Sequence, residues 1–259
     1  MKACPPLVRP ISAGLAVVTF GCLFSPVDTA AATVAPGPSL DLSEIVAGLS
    51  RNDQFKKANL FDFSVVRHYI LKNSRMDAPA ELTVRFSFQR GVGKTYEIVS
   101  AANATGMSRK ILDRIVESEV EASRPASREE GHMVPENYDF ELLGTDTLNG
   151  RKCYVLGLHP RKKSRFLIQG KAWVDADCFA LLKVAGRPAA NVSFWVGKPF
   201  ITQEFQKYGD FWLSCHNRSV SDSFMLGKSE LTIDYTQYEL NTKTIQSVAL
   251  RNARSQGSF

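Results

Sequence analysis

The chain carries four histidines and five cysteines, the residue types best suited to hold a metal or to drive acid–base and nucleophilic chemistry. Their spacing argues against both uses. His68, His132, His159 and His216 fall in separate segments, with no His-x-His or His-Glu-x-x-His pair to set two ring nitrogens on one face. Cys215 and His216 are neighbours in an extended run, so their side chains leave opposite faces and cannot form a nucleophile–base pair. Asp175 and Asp177 share one side of an extended turn, as a cation site requires, but aspartates so placed more often bond their own backbone. No serine stands in a Gly-x-Ser-x-Gly elbow. Gly91-Val92-Gly93-Lys94-Thr95 ends like a phosphate loop, yet Phe88 occupies the place of the first glycine, and the string joins two strands rather than a strand and a helix. These residues predict no catalytic group, no metal and no cofactor: a protein that is not an enzyme.

The aromatic residues point elsewhere. Phe194-Trp195 and Phe211-Trp212 put neighbouring rings on both faces of a strand, so both faces must meet something apolar. A sheet with one buried face has no need of this; a sheet wrapped around a helix or an apolar ligand does. Phe86, Phe88, Trp173, Trp195 and Trp212 are therefore the candidate ligand-binding residues of a hydrophobic cavity.

The elements that would position them are mostly strands. Residues 138–187 hold four strand-like runs joined by short polar turns, the first being Asn149-Gly150, the strongest short hairpin signal because both positions need φ > 0. Residues 81–90 alternate cleanly, with Leu82, Val84, Phe86 and Phe88 on one side and Thr83, Arg85, Ser87 and Gln89 on the other. Further strands are expected at 61–73, 95–100, 191–196, 200–208, 211–224 and 229–240. Two helices are expected: 42–57, capped by Asp41 or Ser43, and 108–122, with Ile111, Leu112, Ile115, Val116 and Val120 on one side and Glu117, Glu119 and Glu121 as a solvated face. Residues 123–136 read as a long polar loop which, with the helix before it, is placed to cover the mouth of a curved sheet. Ten or eleven strands and two helices leave too few helices for βαβ crossovers, so the sheet should be antiparallel. The fold class is mainly β with two helices (α+β), a single incomplete antiparallel β-barrel.

The N-terminus reads as an export signal. Lys2 and Arg9 precede the apolar run 11–24, which is shorter than the about 20 residues a membrane-spanning helix needs, and small residues follow at 29–32. The chain then divides into a signal peptide (1–32), a linker (33–41), a folded domain (42–241) and a flexible tail (242–259). Gly21-Cys22 sets out an alternative, anchoring by lipidation at Cys22, although Thr19 and Phe20 depart from the usual lipobox. Cys153, Cys178 and Cys215 lie beyond the signal. A Cys153–Cys178 bridge is conceivable in an oxidising compartment, with free thiols the simpler reading. The net charge of +6 is spread along the chain without aromatic interleaving, which excludes a nucleic-acid reader and leaves transient contact with an anionic membrane surface open.

With this order of elements, Gly150-Arg151 before a Cys-Tyr-Val-Leu strand and Trp173-Val174-Asp175 closing the next, residues 42–240 resemble the outer-membrane lipoprotein-sorting (LolA-like) proteins, with related folds in LolB and the N-terminal domain of RseB. The resemblance implies an open half-barrel with helices across its mouth that shelters acyl chains from water. The partners it implies are a lipid or an acylated lipoprotein. For the RseB-like alternative, a periplasmic sensor, the partner is an envelope protein. It implies a periplasmic location and assigns no catalytic residue.

Overall fold

The computed structural model describes residues 41–191, 199–223 and 227–241. The expected signal peptide, most of the linker, Cys22, nearly all of the expected strand at 191–196 with Trp195, and the tail lie outside these residues. Helix α1 (Leu42–Asn59) leads into β1 (Asp62–Asn73), β2 (Ala80–Gln89) and β3 (Gly93–Ala102). Helices α2 (Gly106–Ala122) and α3 (Pro125–Glu130) follow, then β4 (Tyr138–Leu148), β5 (Arg151–Pro160), β6 (Ile168–Asp175), β7 (Leu181–Pro188), β8 (Phe200–Tyr208), β9 (Phe211–Ser223) and β10 (Gly227–Leu240). The short α3 stands inside the segment expected to be loop. Pro125 opens it, where a missing backbone N–H leaves no bond unmade.

The ten described strands form one sheet in the order β3-β2-β1-β10-β9-β8-β7-β6-β5-β4, and every neighbouring pair is antiparallel. The end strands β3 and β4 do not pair with each other, so the sheet is an open half-barrel. The first and last described strands, β1 and β10, are neighbours at third and fourth place in this order, which ties residues 62–73 to 227–240. The expected Asn149-Gly150 hairpin is present, with φ of 51° and 76° as a type I′ turn requires.

One cross-strand row traverses the sheet through Ala101, Leu82, Tyr69, Ile233, Asn217, Gln203, Val184, Ala172, Leu156 and Leu142, so these residues share a face. Both long helices lie on that face. On one half, α1 buries Ile45, Val46 and Leu49 against Leu156, Leu158, Ala172 and Val174. On the other, α2 buries Leu112 and Val116 against Tyr69, Leu82, Val84, Phe86 and Ile233. Between the two apolar halves the row turns polar, at Asn217 and Gln203.

Two close approaches shape this arrangement. Gly170 and Gly186 are paired across β6 and β7, and a Cβ on Gly170 would stand 2.1 Å from the Ala185 carbonyl oxygen. Only glycine lets these backbones come so near. Gly48 of α1 lies under the ring of Phe179, 2.3 Å from where its own Cβ would be, while the Asn52 amide donates to the Cys178 carbonyl at 2.7 Å. Helix α1 is thus fitted onto the β6–β7 turn. At its start, Ser43 Oγ donates to the Asp41 carboxylate, and the Asp41 carbonyl, rather than either side chain, accepts from the first-turn amides.

Candidate functional site

A cavity of about 790 Å³ lies between α2 and the helix-covered face of β1, β10, β9 and β8. This volume falls within the roughly 300–1,000 Å³ of sites that hold a small organic ligand. Ile111 and Ile115 of α2 form its roof, and Leu71, Leu231, Ile233 and Ile201 contribute the apolar floor. Asn217, Ser219, Ser221, Ser229 and Asn73 form a second, polar part of the wall. The turn after β1, with Arg75, Met76 and Asp77, and Met107 at the start of α2 stand at its rim.

Beside the cavity, α2 is fixed to the sheet by charge. Arg67 projects from the inward face of β1, in step with the apolar Val65, Tyr69 and Leu71. Its guanidinium lies over the rings of Phe86 (4.4 Å) and Tyr235 (4.6 Å), a cation–π sandwich. Glu119 of α2 reaches it at 2.9 Å and also accepts from Lys94 of β3 at 3.0 Å. Burial alone would raise the Glu119 carboxyl, but Lys94 and Arg67 outweigh it and hold the group well below the usual carboxylate range. Burial would lower Arg67, and Glu119 reverses this, so the guanidinium stays charged. Burial pushes the Tyr69 and Tyr235 hydroxyls above their ordinary range, and both are neutral at physiological pH. Arg67 Nε and the Tyr69 hydroxyl, both buried, have no hydrogen-bond partner among the described residues. The glutamates of α2 are therefore not one solvated face: Glu117 is exposed, whereas Glu119 turns to the sheet.

The other helix has its own anchor. Asp53 of α1 accepts from His132 at 3.1 Å and lies within 3.5 Å of Lys56 and Lys57. Burial opposes ionisation of Asp53, but the His132 hydrogen bond and the two lysines hold its carboxyl below the usual range.

The residues with chemical potential do not converge on the cavity. Each histidine stands beside its own carboxylate: His68 by Glu81, His132 by Asp53, His159 by Glu141 and His216 by Asp234. None of these pairs borders the cavity. Asp175 accepts from the backbone amides of Asp177 and Cys178 and from Arg151, which makes it the turn residue that its spacing favoured. Among the described residues Cys153, Cys178 and Cys215 form no disulfide with one another. Among the described residues there is no group of three His, Cys, Asp or Glu side chains that could hold a metal ion.

Of the candidate aromatics, Phe86 lies wholly buried beneath α2, under the Arg67 guanidinium. Phe88 stacks on Phe63 at 5.1 Å near the end of the same strand. Trp173 and Trp212 are on the opposite, convex face, packed with Cys153 and Leu182. Trp173 donates to Asp146 there and Arg151 lies over Trp212. None of these four lines the cavity. What does line it, apart from α2, is mostly aliphatic and small polar side chains that aromatic spacing could not reveal. A signal existed for Glu119, which falls seven residues after the buried Leu112 and so on the inward stripe.

No protein-family model and no curated protein matches the chain. Among solved structures, it is similar to a putative outer membrane lipoprotein-sorting protein domain from Vibrio parahaemolyticus, at 17% identity and TM-score 0.42, over 76% of this chain and 94% of that one. It is also similar to a LolA superfamily protein from Nitrosomonas europaea, at 12% identity and TM-score 0.40, over 78% and 94%. The MucA/MucB complex structure from Pseudomonas aeruginosa matches at 10% identity and TM-score 0.25, over 80% and 97%. These values describe a likeness, and the functional reading rests on the geometry of the site.

Proposed function

We propose that the chain is an exported carrier of the bacterial cell envelope that binds a lipid, or the acyl part of a lipoprotein, in the cavity under α2. The observation that carries this reading is the cavity itself: about 790 Å³, floored by Leu71, Ile201, Leu231 and Ile233, roofed by Ile111 and Ile115, and bordered, among the described residues, by no histidine or cysteine. Such a space suits an apolar passenger.

The energetics of an acyl chain are favourable but modest. Burying about 12 methylenes contributes roughly 10 kcal/mol at about 0.8 kcal/mol each. Association costs of at least about 4 kcal/mol leave roughly 6, an affinity of tens of micromolar. A carrier must both hold and release, and this range permits release.

Helix α2 is the lid. It is held by the Glu119 bridge to Arg67 and Lys94. Extraction of the purified protein followed by lipid mass spectrometry, together with displacement of a fluorescent fatty acid, tests the reading. The expected result is a co-purifying acyl lipid and saturable displacement; an empty protein that displaces no acylated probe sinks it.

A second reading, a periplasmic sensor that binds an envelope protein, is favoured by one feature. The end strands β3 and β4 each have one free edge and expose Tyr96, Ile98 and Val99 on one, Leu142 and Leu143 on the other. An extended peptide can add to such an edge. Binding of an envelope protein that is lost when Val99 is changed to proline, with the lipid cavity empty, would favour it over the carrier.

A further inference from the structure

The inward face of β9 has the wrong polarity for a cavity that holds hydrocarbon alone. Asn217, Ser219 and Ser221 are its successive inward positions along this part of the strand, and all three line the cavity. Val220, between the last two, lies on the opposite face, as do Arg218 and His216. The ionisable side chains of this part of the strand turn outward, Arg218 to Glu230 at 2.8 Å and His216 to Asp234 at 2.7 Å. Cross-strand neighbours extend the polar wall, since Ser221 pairs with Ser229, and Ser229 with Asn73.

Part of this wall is satisfied internally. Asn73 donates to Ser229 Oγ at 2.8 Å, and Asn217 donates to the Gln203 side-chain oxygen at 2.8 Å. The hydroxyls of Ser219 and Ser221 have no protein hydrogen bond among the described residues and stay open to the cavity, unlike the sealed Arg67 Nε and Tyr69 hydroxyl. They can therefore bond a polar group that enters it.

The wall is also uncharged. The charged residues bordering the cavity are Glu119, already neutralised by Arg67 and Lys94, and Arg75 and Asp77, one of each sign on the same rim turn. Nothing there resembles the cluster of cations that a phosphate head selects. The neutral hydroxyls and carboxamides match hydroxyls and esters instead.

We infer that the ligand of this cavity is a lipid with an uncharged, hydroxyl-bearing head, an acylglycerol or a glycolipid, whose head is bound by Ser219, Ser221 and Asn217 while its chain lies along Ile201, Leu231 and Ile115. The inference rests on the carrier reading and adds the class of passenger. It also supplies the affinity that one chain lacks, because two or three neutral hydrogen bonds strengthen binding about 5-fold each.

The test is a chain-matched series on the purified protein, with only the head changed: monolauroylglycerol, dodecyl glucoside, lauric acid, lauroyl-lysophosphatidylglycerol and an unsubstituted dodecyl-chain fluorophore as the head-free probe. The neutral heads should bind at least about 10-fold more tightly than the two anionic ones. The double variant Ser219→Ala/Ser221→Ala should weaken the neutral heads by roughly 5- to 30-fold and leave the fluorophore unchanged. Acylglycerol and glucoside binding side by side tells which neutral head fits better. Anionic heads binding as well as neutral ones overturns the inference, and so does a double variant that binds monolauroylglycerol like the wild type; in both cases the fluorophore still binds and the carrier reading stands. If no probe binds, the fluorophore included, the carrier reading itself falls and this inference with it. The head series on the wild type needs no variant, so a double variant that folds poorly does not spare the inference.

Discussion

Replacing Glu119 with glutamine removes the charge that holds α2 on the sheet while preserving its size. Arg67 then keeps a charge at 5% side-chain exposure and Lys94 one at 15%, with no carboxylate between them. Deleting one partner of a fully buried pair costs about 3–5 kcal/mol. Glu119 is 29% exposed, so water offsets part of this, and about 2–3 kcal/mol is expected. For a domain of this size that corresponds to a fall in Tm of about 4–12 °C. Thermal unfolding of wild type, Glu119→Gln and the control Glu117→Gln measures it, the control residue being exposed one turn face away. Hydrogen exchange then locates the loss, which should appear first in α2. The cation–π contacts of Arg67 with Phe86 and Tyr235 should keep the sheet beneath intact. In a double-mutant cycle with Arg67→Met, a coupling of more than about 1 kcal/mol is expected. A Glu119→Gln protein within about 0.5 kcal/mol of wild type, or one indistinguishable from Glu117→Gln in α2 exchange, refutes the view that charge fixes the lid.

Three further outcomes follow from other parts of the molecule. Glu119 and Asp53 both have carboxyls held below their ordinary values of 4.5 and 3.8, so the stability they contribute is complete above those values and is lost as pH falls below them. Melting temperature should therefore be flat from pH 7 to about 5 and decline below about 4.5, with a smaller decline in Glu119→Gln; a drop already complete at pH 6 contradicts it. Gly170→Ala puts a Cβ 2.1 Å from the Ala185 carbonyl oxygen and should destabilise by about 1–3 kcal/mol or more, read by urea unfolding. An alanine variant as stable as wild type shows that β6 and β7 can separate there at no cost. Ile201→Trp should fill the cavity and weaken acyl-probe binding at least about 10-fold with the far-ultraviolet circular dichroism unchanged; retained affinity places the ligand elsewhere.

How much of this was legible in the sequence depended on whether a feature was periodic. The alternation from Leu82 to Phe88 and the Asn149-Gly150 turn are local signals, and each appears where expected, in β2 and at the β4–β5 hairpin. The antiparallel pairing followed from the excess of strands over helices, and the open half-barrel from the resemblance to LolA-like proteins. The short α3 was not legible, because its six residues, Pro125–Glu130, carry no apolar period. Of the candidate aromatics, Phe86, Phe88, Trp173 and Trp212 stand away from the cavity under α2, and Trp173 borders a smaller one of about 430 Å³. Paired aromatics do mark strands with two apolar faces, and Phe211 and Trp212 do pack on opposite sides of β9, Phe211 with Leu60 and Trp212 with Cys153. Yet the second apolar face proved to be a convex-side cluster and not the cavity wall. The wall depends on which strands lie side by side in the centre, and the pairing of β1 with β10 spans more than 150 residues of chain. No local pattern reports such a pairing. Arg67 and Ser219 fall in expected strands, but only the register of neighbouring strands places them under α2 and in the cavity.

The central claim is that the space under α2 holds a lipid. Native mass spectrometry of the purified protein, before and after delipidation and again after adding monolauroylglycerol, addresses it most directly. The account predicts one acyl lipid per chain at the outset, its loss on delipidation, and rebinding of one monolauroylglycerol that Ile201→Trp prevents. A protein that is ligand-free when isolated and takes up no acyl lipid, or one whose uptake is indifferent to Ile201→Trp, contradicts it.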